Sequence, residues 1–487
     1  MEIILLVSYI SALLVLFGFG MHGLSMVYHF SKLRPHDPPT PTLPPADLLP
    51  LVTVQLPIFN EIYVAERLIA SVCRLDYPRH LLEIQVLDDS TDETRDLVAR
   101  LVAAKREEGF RIVQLHRDDR TGYKAGALRN GMDLADGTFI AIFDADFLPD
   151  SDFLLRALPH LIADAGLGMV QGRWEHLNYD YSLLTRIQGV ALDAHFAMEQ
   201  QVRNRASFFM NFNGTAGVWR KSCIVDAGNW HADTLTEDLD LSYRAQLRGW
   251  RFLYLNDLSV PAELPSEING LKSQQFRWTK GAIETAKKHL PAIWRSGQSL
   301  AVKLHATAHL TSNLVFPCIL FVALLNIPVL MLKQGHPEFA IYFDIMSVFA
   351  ISSVVSFFFY LCAQRNLRAD WKRRMFLFPF FMAGTMGMAV NNTRAVMEAL
   401  MNHKSAFVRT PKYNIVTSRD NWTASRYRLS RIRIDVVMEL LLALYFILGI
   451  IISIHFVEVS LLPFQLMFLF GFGFSGALSL RHALAKR

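Results

Sequence analysis

The apolar positions of this chain fall into three kinds of stretch, and their order divides it. Residues 3 to about 27 are almost unbroken apolar sequence, enough to cross a hydrocarbon core of about 30 Å. The run lacks the basic, then apolar, then small-residue layout of a cleaved signal, so it reads as a retained anchor. Pro35–Pro50 is proline-rich and should be extended and semi-rigid. From Leu51 to about Leu264 the pattern changes. The runs Val52–Leu56, Glu83–Leu87, Arg111–Leu115, Phe139–Phe143 and Leu167–Gln171 read as buried parallel strands. Between them, Tyr63–Ser71 and Asp92–Arg106 read as helices. This alternation predicts an α/β domain with a mostly parallel sheet, helices on both faces, and ligands at the carboxyl ends of the strands. No internal repeat is present.

Beyond Gln274 the chain is membrane-like again. Lys280–Arg295 is basic and amphipathic, suited to a cytosolic lipid interface. His305–Leu332, Ile341–Leu361, Val436–Ile454 and Leu461–Leu480 have the length and composition of spans. Met375–Met401 is ambiguous, and charge decides it. Arg365–Arg374 and Lys404–Arg433 are both rich in basic residues and should both be cytosolic. A crossing between them would put one outside, and Asn391, Asn392, Arg394 and Glu398 are expensive in lipid. Met375–Met401 is therefore expected to be one interfacial or re-entrant helix. Five spans then leave the amino terminus outside and the catalytic domain and tail Arg481–Arg487 inside. The expected division is an anchor at 1–30, a linker at 31–50, the α/β domain at 51–270 and interfacial helices at 271–304. Two spans follow within 305–362, then a cytosolic region at 363–434, two spans within 435–482 and a tail at 483–487.

Composition agrees with a membrane chain: hydrophobic residues make up 52% of 487, and the mean hydropathy is +0.23. The net charge of +5 gathers beside apolar segments, which points to a lipid bilayer rather than nucleic acid. The four cysteines have neither paired nor metal-type spacing, so a disulfide framework is not expected.

Candidate chemistry gathers at the strand ends. Pro57, Asn60 and Glu61 end the first strand and Asp88-Asp89-Ser90 the second, on one rim where a nucleotide can be gripped. Ser90 and Asp92 serve equally well as a helix cap. Lys124, between small residues at a helix start, can meet a diphosphate or stand in water. Asp144-Ala145-Asp146 follows a buried strand directly, and two carboxylates there can share a hard cation, Mg²⁺ or Mn²⁺. Thr236-Glu237-Asp238 reads either as a helix cap with an acidic first turn or as a general base at Asp238. Gln274-x-x-Arg277-Trp278 offers a flat ring for a sugar and a guanidinium for pyrophosphate, or an ordinary membrane anchor.

The ordered set Asp88/Asp89, Asp144-x-Asp146, Thr236-Glu237-Asp238 and Gln274-x-x-Arg277-Trp278 resembles the family-2 processive glycosyltransferases, which include cellulose, chitin and hyaluronan synthases. The runs Val86–Asp92, Gly122–Leu128, Ile142–Phe147 and Phe212–Arg220 are similar to the plant cellulose-synthase-like A and C branch, which makes mannan, glucomannan or β-glucan. The likeness implies a cytosolic GT-A domain with an α-helical membrane domain, and inverting polymerisation of a β-linked hexose from UDP-glucose or GDP-mannose. It implies that Asp89 and its neighbours hold the base, and Lys124 the diphosphate. Asp144 and Asp146 would hold nucleotide and metal, with Asp238, beside Glu237, as the base. Arg277 would stabilise the leaving diphosphate, with Gln274 beside it, while Trp278, Phe212 and Asn213 would meet the acceptor. Phe407-Val-Arg-Thr-Pro-Lys412, within a loop at 403–415, resembles the gating loop of cellulose synthases, so Phe407, Thr410 and Lys412 carry that expectation. Arg409 stands where the pattern has Val. No cyclic-di-GMP-binding tail is found, so regulation through such a domain is not expected.

The expected membrane is an inner, plasma or Golgi-type one, the partners are a nucleotide-sugar and a growing polysaccharide, and export partners are left open. Two other classes compete: transfer of a single sugar to a lipid, and a transporter with a nucleotide-sensing domain. Gln-x-x-Arg-Trp and the carboxyl-terminal spans favour a polymer. An intact Asp238 argues against a sensor, which needs no base.

Overall fold

The computed structural model describes residues 2–32, 37–417, 419–423, 425–427 and 433–484. Parts of the expected linker, the basic loop before residue 434 and the tail at 485–487 lie outside these.

A seven-stranded sheet forms the centre of the first half. Its strands are β1 (Val52–Ile58), β2 (Leu82–Asp88), β3 (Arg111–His116), β4 (Phe139–Ile142), β5 (Leu167–His176), β6 (Gly217–Arg220) and β7 (Arg251–Ala262). The order is β3-β2-β1-β4-β6-β5-β7, parallel except at β6, which runs against both β4 and β5. The first five strands and the helices Ala65–Val72 and Thr94–Glu107 fall where the apolar pattern puts them.

Both faces of the sheet are covered, which explains why its strands look almost continuously apolar. Val52, Val54 and Leu56 point into one core, with Leu68 and Val98 from the helices above. On the other face, Ile140, Met169 and Trp219 pack against Leu128 and Leu241. The polar residues of β1 are buried but paired. Thr53 donates to Glu83 at 2.5 Å, and Gln55 donates to Gln85 at 3.0 Å.

Among the described residues, five helices are long and apolar enough to cross a membrane: Glu2–Lys32, Leu300–Gly335, Ala340–Leu367, Ile434–His455 and Val459–Leu484. One set of ends meets the α/β half, where Lys272 donates to Glu439 and Ser479 at 2.7 and 2.8 Å. At the other end, Lys333 pairs with Glu458 at 2.7 Å and His336 with Glu2 at 3.4 Å. The Pro-rich linker is docked where it is described: Asp37 accepts from Arg205 at 2.8 Å and from the Asp257 N–H at 2.7 Å.

Met375–Met401 is not one helix. It contains Phe378–Gly387 and Ala389–Leu400, broken at Met388, and neither is long enough to cross. Close approach to the last apolar helix accounts for the small residues: a methyl added at Gly471 would lie 2.1 Å from the Ala383 carbonyl. The polar residues of the second piece are matched by protein. Asn391 donates to the Lys272 carbonyl at 3.0 Å, and Arg394 pairs with Asp435 at 3.2 Å.

The basic helix also differs from expectation. It begins at Ile268 and runs unbroken to Arg295. Its lysines grip protein rather than facing outward: Lys280 is fully buried and bonds Glu398, while Lys287 donates to the Ala399 carbonyl at 2.8 Å.

Candidate active site

The carboxyl ends of β1, β4 and β5 open into a cavity of about 190 Å³, closed on its far side by the helix Ile268–Arg295 and the segment Phe407–Lys412. The strand end at Asp144–Asp146 is its floor. Lys124 donates to Asp144 at 2.5 Å and to the Gly214 carbonyl at 3.0 Å. Burial acts to lower the Lys124 pKa, but Asp144 and Glu237 outweigh it and hold the ammonium above its ordinary value. Asp146 accepts from Lys412 at 2.7 Å and from the Glu263 N–H at 3.1 Å. Each carboxylate of the pair therefore already faces an ammonium.

Asp238 stands in the first turn of the helix Glu237–Leu247. Burial, with the neighbouring Glu237 charge, pushes its carboxyl up to about 7, while part of its surface stays open to the cavity. Gly214 makes this proximity possible. It has φ +81°, and a methyl there would lie 3.0 Å from Asp238 Oδ2 and 3.3 Å from Lys124 Nζ.

The helix bearing Asp238 is clasped to the one bearing Arg277. Asp240, fully buried, accepts from His289 and Lys288, both at 2.7 Å, and from Arg244 at 2.8 Å. The Leu235 N–H donates to Glu284 at 2.9 Å. Arg277 thus faces Asp238, Glu237 and Asp144, and burial lowers its pKa to about 10. Trp278 lines the cavity, its ring centre 6.4 Å from that of Trp174.

The segment after the broken helix closes the cavity. Phe407 stacks on Tyr123 at 5.5 Å, and Arg277 lies 4.4 Å from the Phe407 ring centre. Thr410 accepts from Arg277 at 2.9 Å. Arg409, the departure from the gating-loop pattern, pairs with Glu61 at 3.0 Å and donates to the Asn60 carbonyl at 2.6 Å. Burial raises the Glu61 carboxyl pKa, opposed by Arg409.

Most expected site residues meet in this cavity: Pro57, Glu61, Asp89, Lys124, Asn213, Gln274 and those just described. Three do not line it. Asp88 is fully buried and caps inward, accepting from the Ser90 N–H at 2.9 Å and from Gln114 at 2.7 Å. Phe212 is core, edge-on to Trp219 at 5.5 Å, with no surface for an acceptor. Asn60 spends its side chain on Thr91, whose N–H it accepts at 2.8 Å. Asp89 lines the cavity already held by Arg117, at 2.8 and 2.5 Å.

Sequence reasoning missed Arg117, Arg120, Trp174, Glu175 and Glu263, which no local motif marks. Glu175 joins the domain to the loop after the third apolar helix: Arg368 donates to it at 2.9 and 2.6 Å and to Asp193 at 2.6 Å. Burial alone would raise the Glu175 pKa, but Arg368 outweighs it and holds the carboxyl down to about 2. Among the described residues, two acid–histidine groups have metal-like spacing, Glu175/His176/Asp193 and His231/Asp233/Asp240. Both are filled by protein cations, Arg368 and Arg374 in the first, Lys288 and Arg244 in the second.

Residues 50–281 match the family described as "Glycosyltransferase like family 2". The α/β domain is thus similar to family-2 glycosyltransferases over just under half of the chain. The chain is 47% identical over 251 residues to glucomannan 4-beta-mannosyltransferase 7 of Arabidopsis thaliana, covering 51% of this chain and 45% of that protein. It is 40% identical over 298 residues to glucomannan 4-beta-mannosyltransferase 1 of Oryza sativa subsp. japonica, covering 57% of each. The chain thus spans about half the length of the relatives it matches. The mannosyltransferase PcManGT from Pyrobaculum calidifontis, solved with GDP-Man and Mn²⁺, superimposes with a TM-score of 0.53 at 18% identity, covering 82% of this chain and all of that one. At that identity the glycosyltransferase domain shares its fold, which is of GT-A type, and no more.

Proposed function

We propose that the chain is an inverting membrane hexosyltransferase that extends a β-1,4-linked mannan or glucomannan from GDP-mannose. The observation carrying this reading is the convergence of Asp238 and Arg277, from two clasped helices, on the Asp144–Asp146 strand end. The identity to the two plant mannosyltransferases supports the sugar and the linkage.

In this reading Asp238 takes the proton from the acceptor hydroxyl as its oxygen attacks the anomeric carbon. The attack comes from the face opposite the leaving diphosphate, so an α-linked donor gives a β-linked product. Lys124 and Arg277 face the diphosphate and hold the charge that develops there. Trp278 supplies the flat face on which the terminal acceptor ring stacks. The donor set of Asp144 and Asp146 suits a divalent cation: both carboxylates are hard oxygen donors on one strand end that lines the open cavity, and a metal would displace the Lys124 and Lys412 ammoniums that hold them. When bound, Mg²⁺ or Mn²⁺ would neutralise charge on the leaving diphosphate.

The five apolar helices support an integral membrane protein. In this reading the α/β domain is cytosolic and the amino terminus, where Glu2 pairs with His336, lies across the membrane. In this topology the product is passed through the protein's own spans, and Phe407, Thr410 and Lys412 act as a gate over the donor. The direct test incubates purified protein with GDP-mannose or UDP-glucose and Mn²⁺. Release of GDP from GDP-mannose, with UDP-glucose at background, supports the donor; the reverse pattern overturns it.

A further inference from the structure

We propose that Arg120 reads the nucleotide base and favours guanine over uracil, an inference that rests on the nucleotide-sugar reading above. Arg120 lines the cavity, its guanidinium carbon 3.3 Å from the Phe59 ring centre and 5.1 Å from that of Tyr123. The two rings fix its plane. Among the described residues its side chain has no hydrogen-bond or ion-pair partner, and its Nε is buried without one. Its neighbours are unlike it. Arg117 is satisfied by Asp89 and by the Thr121 and Tyr123 carbonyls at 3.2 and 3.0 Å. Arg409 is satisfied by Glu61 and the Asn60 carbonyl. Its Nε is a buried donor without a partner, which is costly to leave unmade, and its terminal nitrogens, with no protein acceptor, stand free beside the Phe59 ring to meet an acceptor from outside.

Asp89 supplies the complement. Arg117 takes one bond from each of its oxygens, at 2.8 and 2.5 Å, and each oxygen keeps a further acceptor position. The wall therefore offers a fork of donors near a pair of acceptors. Guanine presents the matching edge: O6 and N7 accept, while N1–H and the exocyclic amine donate. Uracil offers one donor, N3–H, and has no counterpart to the adjacent O6 and N7. Adenine turns an amine donor toward the guanidinium. The diphosphate end is served separately by Lys124 and Arg277, both beside Asp144.

The test is calorimetric titration of the full chain in detergent with GDP, UDP and IDP, each with Mn²⁺. Wild type should bind GDP more tightly than UDP, on the order of 10- to 100-fold. Arg120→Ala should collapse that ratio to within about 3-fold, mostly by weakening GDP. IDP keeps O6 and N7 but lacks the amine, so it should show the same sensitivity to Arg120→Ala as GDP. Arg120→Lys keeps the charge without the fork, and should lower the ratio too, which preserves the test if the alanine variant does not fold. Equal weakening of GDP and UDP would mean a phosphate contact and overturn the inference while leaving the donor reading intact. Tighter binding of UDP than GDP by wild type would overturn both.

Discussion

Lys412 and Asp146, 266 residues apart, meet through a 2.7 Å hydrogen bond that ties the segment over the cavity to the carboxylate pair at its floor. The Lys412 ammonium occupies an oxygen that a divalent cation would use. Removing it should make the cation easier to bind. Lys412→Ala should lower the Mn²⁺ concentration for half-maximal GDP binding by at least about 10-fold, because the pair is largely buried and removing the ammonium leaves the Asp146 charge unpaired. A manganese titration monitored by nucleotide binding reads this directly, and an unchanged midpoint would contradict it.

A carboxylate that must accept a proton works only when ionised. Because burial and Glu237 push the Asp238 carboxyl up to about 7, turnover should rise with pH through neutrality and level off above it. Asp238→Asn should cut kcat by about 10²- to 10⁴-fold and abolish that rising limb, with GDP affinity little changed. Initial rates of GDP release from pH 5.5 to 8.5 separate these outcomes.

Gly214 sets the backbone beside the proposed base, Asp238. Gly214→Ala places a methyl 3.0 Å from Asp238 Oδ2 at φ +81°, where an L side chain is strained by about 1–2 kcal/mol. Activity should fall at least about 10-fold, since displacement of a catalytic group by about 1 Å costs more than that. The thermal midpoint should move by only a few degrees, which distinguishes a displaced base from a collapsed domain.

The contact between Glu175 and Arg368 should be sensitive to acid. Glu175 is held down to about 2 in the fold, below its usual 4.5. A depressed carboxyl contributes stability that is present above pH 4.5 and is lost as pH falls toward 2. Thermal midpoints in detergent should therefore drop across that window, and the drop should be smaller in Arg368→Ala. In that variant Glu175 loses the partner that depresses it, so the neutral-pH midpoint should start lower.

The legible part of the fold was the part carried by repeating patterns. Val52, Val54 and Leu56 sit in runs that only a strand buried on both faces explains, and β1 to β5 were read from them. β6 has four residues, and β7 carries Asn256, Asp257 and Pro261 along its length, so neither stands out as an apolar run. Motif likeness cannot tell which neighbour points inward. Asp88 and Asp89 alternate across a strand end, and only Asp89 reaches the cavity, while Phe212 turns into the core beside Asn213. Loop charge reduced the apolar stretches to five spans. It could not reveal the break at Met388, beside which Gly387 comes close to the Gly471 backbone of a distant segment. Arg409 looked like a fault in the gating pattern, yet its partner Glu61 lies 348 residues away.

The central claim is β-linked polymer synthesis, and its product tests it most directly. The purified chain should be incubated with radiolabelled GDP-mannose and Mn²⁺, and the product sized and digested. The expected product is a long, alcohol-insoluble polymer with 4-linked mannose that an endo-β-mannanase degrades. A single sugar on a lipid, or an α-linked product that resists the enzyme, would contradict it.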